Sequence, residues 1–466
     1  MNASAQFDYV DVELLRKYDK PGPRYTSYPT APNFSKEFGP ADYEGEIVRT
    51  NSSGKGDYLS LYFHLPFCKS LCYFCACNMQ VTHSREAISD YLAVLKAEID
   101  LISKLIDPRR KVVQLHWGGG TPTYLSPQEI RDLMGHIRSR FSLGETAEMG
   151  VEIDPRGLTA EHLEALRESG FNRASIGVQD FDPEVQETVN RIQPEEMTRS
   201  VFGSCRRLGF TSINLDLIYG LPRQTLESFE WTIDKVIEIS PDRLAVFNFA
   251  YVPWIKKHHE RLIDPATLPK PEAKLAILKM TIEKLSQASY VYIGMDHFAR
   301  QDDELAVAQR EGALHRNFQG YSTKAGFDLY GMGVSSISCV GDVYAQNHKA
   351  IPDYKSAALA GRLATMSGYR VSEDDKVRWY VITRLMCDME LAKGDVERRF
   401  GIDFDTYFAD ALTQLTPFEA DGLLVHEKDK IEVAGTGRLV IRNIAMAFDK
   451  YLKKETDGRP VFSRTV

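Results

Sequence analysis

Two rhythms of apolar and polar positions alternate along the chain. Short apolar runs bounded by turn residues are followed by longer stretches in which apolar side chains recur every three to four positions. Residues 59–64 (LSLYFH) predict a first strand. Ile88, Leu92, Leu95, Ile99, Ile102 and Ile106 then fall on one helical face, and Asp107-Pro108 stops that helix. Further strands are predicted over 112–117 (VVQLHW), 147–153 (AEMGVEI), 174–178 (ASIGV), 211–217 (TSINLDL) and 243–250 (RLAVFNFA). Helical patterns lie between them, one of them over 225–239, ending before Pro241. Six strands, each followed by a helix, imply a parallel sheet with right-handed crossovers. Six units are too few for a closed eight-fold barrel. The expected fold class is therefore α/β, a partial (β/α)6 barrel whose active groups sit at the C-terminal strand ends.

The pattern changes after about residue 350. Ser372 and Asp375 open a capping box for a helix carrying Val377, Tyr380, Val381, Leu385 and Met386. Residues 423–434 read as a short hairpin, and a helix is expected over 437–453. The chain thus divides into a lead-in segment over 1–35, built around GPRYTSYPTAP, a barrel domain over 36–350, and a mainly helical C-terminal domain over 351–466. The two outer segments are expected to act as lids over the barrel mouth.

Composition narrows the function without naming it. The chain has 466 residues, 43% of them hydrophobic and 26% charged, which fits a folded protein with a large core. Lys and Arg number 57 against 65 Asp and Glu, a net charge of −8. That balance argues against a general nucleic-acid binder and means that an anionic substrate has to be met by a local basic patch. No apolar run is long enough to span a membrane, and MNASAQFDYVDVELLRKYDK lacks the apolar core of a secretory signal. A cytoplasmic location with reduced thiols is expected.

The densest chemistry is a cysteine cluster. Cys68, Cys72 and Cys75 are spaced C-x3-C-x2-C on a loop just beyond the first strand, with Cys77 two residues further on. Thiolates are soft ligands that select zinc, Cu(I) or iron–sulfur clusters. Three ligands to a four-iron cluster leave one iron open, as a catalytic site requires. A zinc site using all four cysteines is the alternative, although the C-x-C at Cys75 and Cys77 would crowd a tetrahedral ion. A simple electron-transfer cluster is another. Cys205, Cys339 and Cys387 read as buried small hydrophobes.

C-x3-C-x2-C after the first strand of a partial βα barrel resembles the radical S-adenosylmethionine enzymes. More narrowly, the chain resembles the oxygen-independent coproporphyrinogen III oxidase family of haem biosynthesis. Matching stretches cover nearly its whole length: GPRYTSYPTA, the cysteine loop, LHWGGGTPTYL, EIDPR, GFNRASIGVQDF, NLDLIYGLP, GMDHFAR and HRNFQGY. The resemblance implies a [4Fe–4S] cluster on Cys68, Cys72 and Cys75 and the use of two S-adenosylmethionine molecules. Tyr62 and Glu152 would contact the first molecule, the glycine segment with Gly119 would hold a methionine amino group and part of the nucleoside, and Ile337 would be an adenine wall. Phe74, Gly120, Thr121, Gln179, Arg191, Asp216 and Ala250 would contact the second. Cys77 would be an additional essential thiol, and the family more often has glycine where this chain has Ala76.

The implied reaction turns two propionates of coproporphyrinogen III into vinyl groups, giving protoporphyrinogen IX, and is started by a 5′-deoxyadenosyl radical. It needs a low-potential electron donor and an electron acceptor. A monomer without nucleic-acid or membrane partners is expected. Other readings stay open. A haem-binding chaperone on the same scaffold is one, disfavoured by Cys77 and by GPRYTSYPT. A zinc-dependent nucleic-acid module is another, and it lacks a basic patch. Among single residues, the glycines could simply form a tight turn, Gln179 could be an ordinary polar group, and His64 and His116 could be structural. Arg24, Arg300 and Arg316 are candidates for substrate carboxylates, unless acidic neighbours such as Asp296 pair with them.

Overall fold

The computed structural model describes residues 10–52, 57–324, 326–452, 455–456 and 459–465. Residues 1–9 of the expected lead-in segment and residue 453 of the expected last helix lie outside the described residues. All six expected strands are present: β1 (Tyr58–Leu65), β2 (Lys111–Gly119), β3 (Ser142–Ile153), β4 (Arg173–Gln179), β5 (Ser212–Tyr219) and β6 (Arg243–Asn248). β1 pairs with β2, β2 with β3, and β3 with β4, each in parallel.

Six further strands were not legible as a pattern: β7 (Tyr290–Gly294), β8 (His297–Arg300), β9 (Asp328–Met332), β10 (Ile337–Val340), β11 (Val343–Asn347) and β12 (Thr365–Arg370). Each is four to six residues long. Too few alternations fit in such a span to separate a strand from a loop.

The chain forms two compact units. One comprises residues 34–216 and 326–371, the other residues 1–33, 217–325 and 372–466. In the first, the strand order is β12-β11-β10-β9-β1-β2-β3-β4. β9 runs parallel to β1, and β10, β11 and β12 follow as an antiparallel meander. The helix α1 (Arg85–Leu105) starts where Ser84 accepts a hydrogen bond from Ala87 N–H, and it buries Ile88, Leu92, Leu95, Ile99 and Ile102. Trp117 on β2 is wholly buried and meets Phe171 edge-on, ring centroids 4.9 Å apart. The buried Glu98 carboxylate of α1 accepts hydrogen bonds from Gly333 N–H at 2.7 Å, Tyr354 hydroxyl at 2.6 Å and Asn347 Nδ2 at 2.6 Å. A carboxylate taken out of water needs such partners, so this one locks α1 to the turn after β9.

In the second unit, β8 lies between β6 and β7 and is antiparallel to both. The helix α2 (Leu226–Ile239) is capped by Thr225, and α3 (Pro271–Gln287) begins with proline at its first position. The capping box of Ser372 and Asp375 opens α4 (Glu373–Asp388) as expected. The expected hairpin is also there, as Leu424–His426 against Lys430–Val433, with Glu390–Ala392 as a third strand.

The helix expected over 437–453 is broken into three short pieces, Gly435–Val440, Ile441–Ala445 and Met446–Phe448. Within the first piece the backbone comes close at Gly437, where an added Cβ would collide with the Leu423 carbonyl. The buried Arg442 guanidinium donates to the carbonyls of Pro23, Gly22 and Arg464, tying the chain's two ends together.

Candidate functional site

The cysteine loop is held at both ends by backbone hydrogen bonds. Phe67 and Cys68 pair in parallel with Gln80 and Val81, and Thr82 N–H donates to Cys68 O at 3.1 Å. Further along, Tyr73 N–H donates to Val189 O at 2.9 Å, and Asn190 Nδ2 to Leu71 O at 2.7 Å. Cys75 N–H closes a tight turn onto Cys72 O at 3.0 Å. A loop fixed in this way presents its sulfurs without the entropy loss of ordering a free segment on binding. Ala76 is not among the residues with positive φ, so its methyl causes no strain.

Donors surround the sulfurs. Thr121 Oγ1 donates to Cys68 Sγ at 3.4 Å, Arg156 Nη2 to Cys72 Sγ at 3.2 Å, and Arg191 Nη1 to Cys72 Sγ at 3.6 Å. Burial pushes the Cys68 thiol up to about 12, with Cys75 and Cys72 close enough to add to the rise. Cys77 is the most exposed of the four. Its hydrogen bond with Cys75, more than desolvation, raises its thiol well above the ordinary value. Among the described residues no three His, Cys, Asp or Glu side chains are placed to hold a single metal ion. The loop offers three neighbouring thiols with N–H and O–H donors on two of the sulfurs, and that donor set suits an iron–sulfur cluster.

Polar groups at the strand ends gather on the same side. Glu152 on β3 accepts from Gly119 N–H at 3.0 Å and faces His116 Nε2 at 3.7 Å. Burial alone would raise the Glu152 carboxyl, but His116 and the Gly119 amide outweigh it and the net shift is downward. Tyr62 stacks on His116 at 6.1 Å, and its hydroxyl shares a hydrogen bond with His64 Nδ1 at 3.2 Å. Gly119 has φ +116°, and an added Cβ would lie 2.6 Å from the His64 ring. At Gly120 it would lie 2.5 Å from the Pro66 carbonyl oxygen. The space cleared by these two glycines is therefore filled by the protein's own groups. Gly120 N–H donates to Leu65 O at 2.8 Å and Thr121 N–H to Phe67 O at 2.9 Å, which seats the turn against the cysteine loop.

On the next two strands, Gln179 ends β4 with φ 71°, a left-handed backbone costing about 1–2 kcal/mol for a non-glycine residue. Strain of this kind collects at functional sites. Asp216 on β5 accepts from Ser175 Oγ at 3.0 Å and from Asn214 Nδ2 at 2.7 Å. Burial, reinforced by Glu152, raises its carboxyl to about 6. Arg191 donates to Asp154 at 3.1 Å and to Gly177 O at 2.5 Å, while its buried Nε has no partner. An orphaned guanidinium N–H next to two carboxylates and a thiol suits a ligand that carries both an acid and an amine, such as an amino-acid moiety.

The first unit thus brings Cys68, Cys72, Cys75, Cys77, Tyr62, Gly119, Gly120, Thr121, Glu152, Arg191 and Asp216 into one connected network. Gln179 borders it at the end of β4, and its amide shares with Arg191 the space above Gly177. Phe74 in the loop and Ile337 at the start of β10 are half-buried. Ala250 belongs to the second unit and lines a cavity there. Sequence reasoning missed Asp154 and Arg156. Both lie in EIDPR, from which only Glu152 was drawn, yet Arg156 touches a cysteine sulfur and Asp154 holds both arginines. His116, read as structural, orients Glu152.

The arginine candidates separate cleanly. Arg24 is paired with Asp296 at 2.6 Å. Arg300 bonds to Ser240 and to Pro241 O. Arg316, 3% exposed, donates to Arg24 O at 3.2 Å and leaves Nη1 without a partner. Cys205 and Cys387 are fully buried, whereas Cys339 is only partly so.

Residues 62–236 match the Radical SAM superfamily, and residues 371–440 match the HemN C-terminal domain. An oxygen-independent coproporphyrinogen III oxidase of Pseudomonas aeruginosa is 48% identical over 458 residues, covering 98% of this chain and 98% of that protein. One of Escherichia coli is 48% identical over 461 residues, 99% of each chain. The solved structure of coproporphyrinogen III oxidase (HemN) from Escherichia coli, titled a radical SAM enzyme, aligns with a TM-score of 0.90 at 47% identity, covering 96% of this chain and 100% of that one.

Proposed function

The chain belongs to the oxygen-independent coproporphyrinogen III oxidase family of the radical SAM superfamily, and from that membership we propose that it converts coproporphyrinogen III to protoporphyrinogen IX in haem biosynthesis. It is an oxidoreductase. Two propionate side chains each lose a hydrogen atom, an electron and carbon dioxide, and each becomes a vinyl group. The relatives that match over the whole length are named oxidases, which does not favour the haem-chaperone reading.

Cys68, Cys72 and Cys75 would hold the [4Fe–4S] cluster, Tyr62 and Glu152 the first S-adenosylmethionine, with Gly119 in the segment that takes a methionine amino group and Ile337 as an adenine wall. Phe74, Gly120, Thr121, Gln179, Arg191, Asp216 and Ala250 are assigned to the second. When bound, the cluster and S-adenosylmethionine supply the one-electron reduction and hydrogen-atom abstraction that begin decarboxylation. The chain's own residues do the positioning. Arg156, Arg191 and Thr121 donate to ligand sulfurs, which steadies negative charge on them. His116 and Gly119 hold Glu152 ionised, ready for a hydroxyl or ammonium donor. Cys77 lies outside the ligand trio, within hydrogen-bond reach of Cys75, as the additional thiol the reaction needs.

A low-potential donor supplies the starting electron, and a separate acceptor takes the one released. The protein would act in the cytoplasm as a monomer. No helix among the described residues is long and apolar enough to cross a membrane.

The observation that carries this reading is the loop of three thiols with a fourth beside it, in a chain matching the oxidases end to end. Anaerobic reconstitution with iron and sulfide, followed by coproporphyrinogen III, S-adenosylmethionine and a reductant, should give a product lighter by two carbon dioxide and four hydrogen masses. Absence of that product with an intact cluster would refute the assignment.

A further inference from the structure

The second unit contains a cavity of about 310 Å³, and among the residues assigned above only Ala250 lines it. Its walls include Phe249, Tyr251, Trp254 and Tyr292, and four cations reach it, Arg24, Lys274, Arg442 and Arg464. The only carboxylate in the lining is Asp296. Such a lining is unusual for a chain of net charge −8.

Each cation can be traced to its partners. Arg24 is paired with Asp296 at 2.6 Å, and Arg464 with Asp19 at 2.5 Å. Arg442 spends its donors on backbone carbonyls, and its nearest electrostatic counter-charge is Asp296, which Arg24 already pairs. Lys274 is different. Its Nζ has a single long hydrogen bond, 3.5 Å to Phe249 O, and no carboxylate lies within ion-pair distance of it among the described residues. Burial pushes its ammonium down to about 8; the more distant Asp19 carboxylate opposes that fall and Arg464 adds to it. The stem passes over Gly220, which has φ +85°, and a Cβ there would lie 2.6 Å from Lys274 Cε. The glycine of the NLDLIYGLP stretch therefore clears the path by which the amine reaches the cavity.

An under-partnered ammonium among aromatic walls suits an anionic ligand with an apolar body. We propose that this cavity binds a carboxylate arm of the tetrapyrrole substrate, with Lys274 as the cation that receives the carboxylate. This rests on the proposed function. The volume sits at the small end of ligand pockets, about 300–1,000 Å³, which fits one pyrrole ring with its acid arms and not a whole macrocycle. A carboxylate could also come from the methionine part of S-adenosylmethionine, since Ala250 shares the cavity.

The test separates these sources. Dissociation constants for coproporphyrin III, its tetramethyl ester and S-adenosylmethionine are measured on the full-length, cluster-reconstituted protein and on Lys274→Met and Lys274→Arg. Lys274→Met should weaken coproporphyrin III at least tenfold, Lys274→Arg less than threefold, and both should leave S-adenosylmethionine affinity and iron content unchanged. The ester should bind the wild type at least tenfold more weakly than the acid and be indifferent to Lys274→Met. Unchanged coproporphyrin III affinity in Lys274→Met, or a loss confined to S-adenosylmethionine, overturns the proposal. Should Lys274→Met not fold, the wild-type comparison of acid with ester decides, and equal affinities overturn it. A wild type that binds coproporphyrin III through Lys274 but yields no vinyl product would sink the reaction assignment and leave this one standing.

Discussion

The thiol network of the first unit and the cavity of the second carry opposite charge. Around the cysteine loop stand Glu152, Asp154, Asp216 and four thiols, against Arg156 and Arg191. In the cavity stand Arg24, Lys274, Arg442 and Arg464, against Asp296 alone. The two also differ in how their charges are settled. Glu152 and Asp154 are held ionised by fixed donors, whereas Lys274 has only the field of the more distant Asp19 and one long hydrogen bond against its burial. On the proposed assignments each region suits a ligand opposite to its own excess, a sulfonium and ammonium in the first and carboxylates in the second. The net charge of the whole chain predicts neither.

The sharpest way to break this comparison is at the sulfurs. Cys68→Ser, Cys72→Ser and Cys75→Ser should each lose nearly all bound iron and all turnover, because each removes a proposed iron ligand. Cys77→Ser should keep iron at the wild-type level and still lose turnover. Iron analysis after anaerobic reconstitution checks both, and equal iron loss in all four variants would contradict the three-plus-one division. The Lys274 variants come next, at about tenfold in affinity.

How much of each region could be read beforehand follows from the distances along the chain. The four cysteines fall within ten residues and declare themselves. Glu152, Arg191 and Asp216 become neighbours only through parallel pairing, so they needed the strand pattern and a family resemblance together. The cavity draws Arg24, Tyr219, Lys274, Asp296 and Arg442 from separate stretches, and no spacing could have joined them. Lys274 in particular looks like any solvated lysine on an amphipathic helix until the fold places it over Gly220. Composition could only say that a basic patch had to exist. The helix expected over 437–453 has a helical apolar pattern, but the chain takes it as three short consecutive pieces, a difference in hydrogen bonding that the spacing of apolar residues does not record.

A smaller effect is expected at Arg156. Its hydrogen bond to Cys72 is one of the two from guanidinium groups, and hydrogen bonds to ligand sulfurs raise a cluster's reduction potential. Arg156→Met should keep iron content and lower the potential by tens of millivolts in an anaerobic redox titration. An unchanged potential would mean that Arg156 serves only to hold Asp154.

The finest test concerns Asp216, where the first region bears a cost for its excess of negative charge. Burial and Glu152 raise this carboxyl from its ordinary 3.8 to about 6. A raised acid is destabilising when ionised, so the penalty is absent below the unfolded value and is fully present once the pH exceeds the folded one. The rise corresponds to about 3 kcal/mol on the ionised form. Substitution by asparagine disturbs the hydrogen bonds from Ser175 and Asn214, which offsets roughly 1 kcal/mol. Asp216→Asn should therefore stabilise the cofactor-free protein by about 1–2 kcal/mol at pH 8. The advantage should shrink as the pH falls below 6, vanish between about 5 and 4, and reverse at lower pH, where only the lost hydrogen bonds remain. Thermal denaturation at these pH values reads it directly, beside an S-adenosylmethionine titration in which the same variant should bind more weakly. A stability gap that is missing at pH 8, or independent of pH, would show that Asp216 is not strained by its neighbours. Stabilisation with unchanged cofactor affinity would show that the strain serves something other than binding.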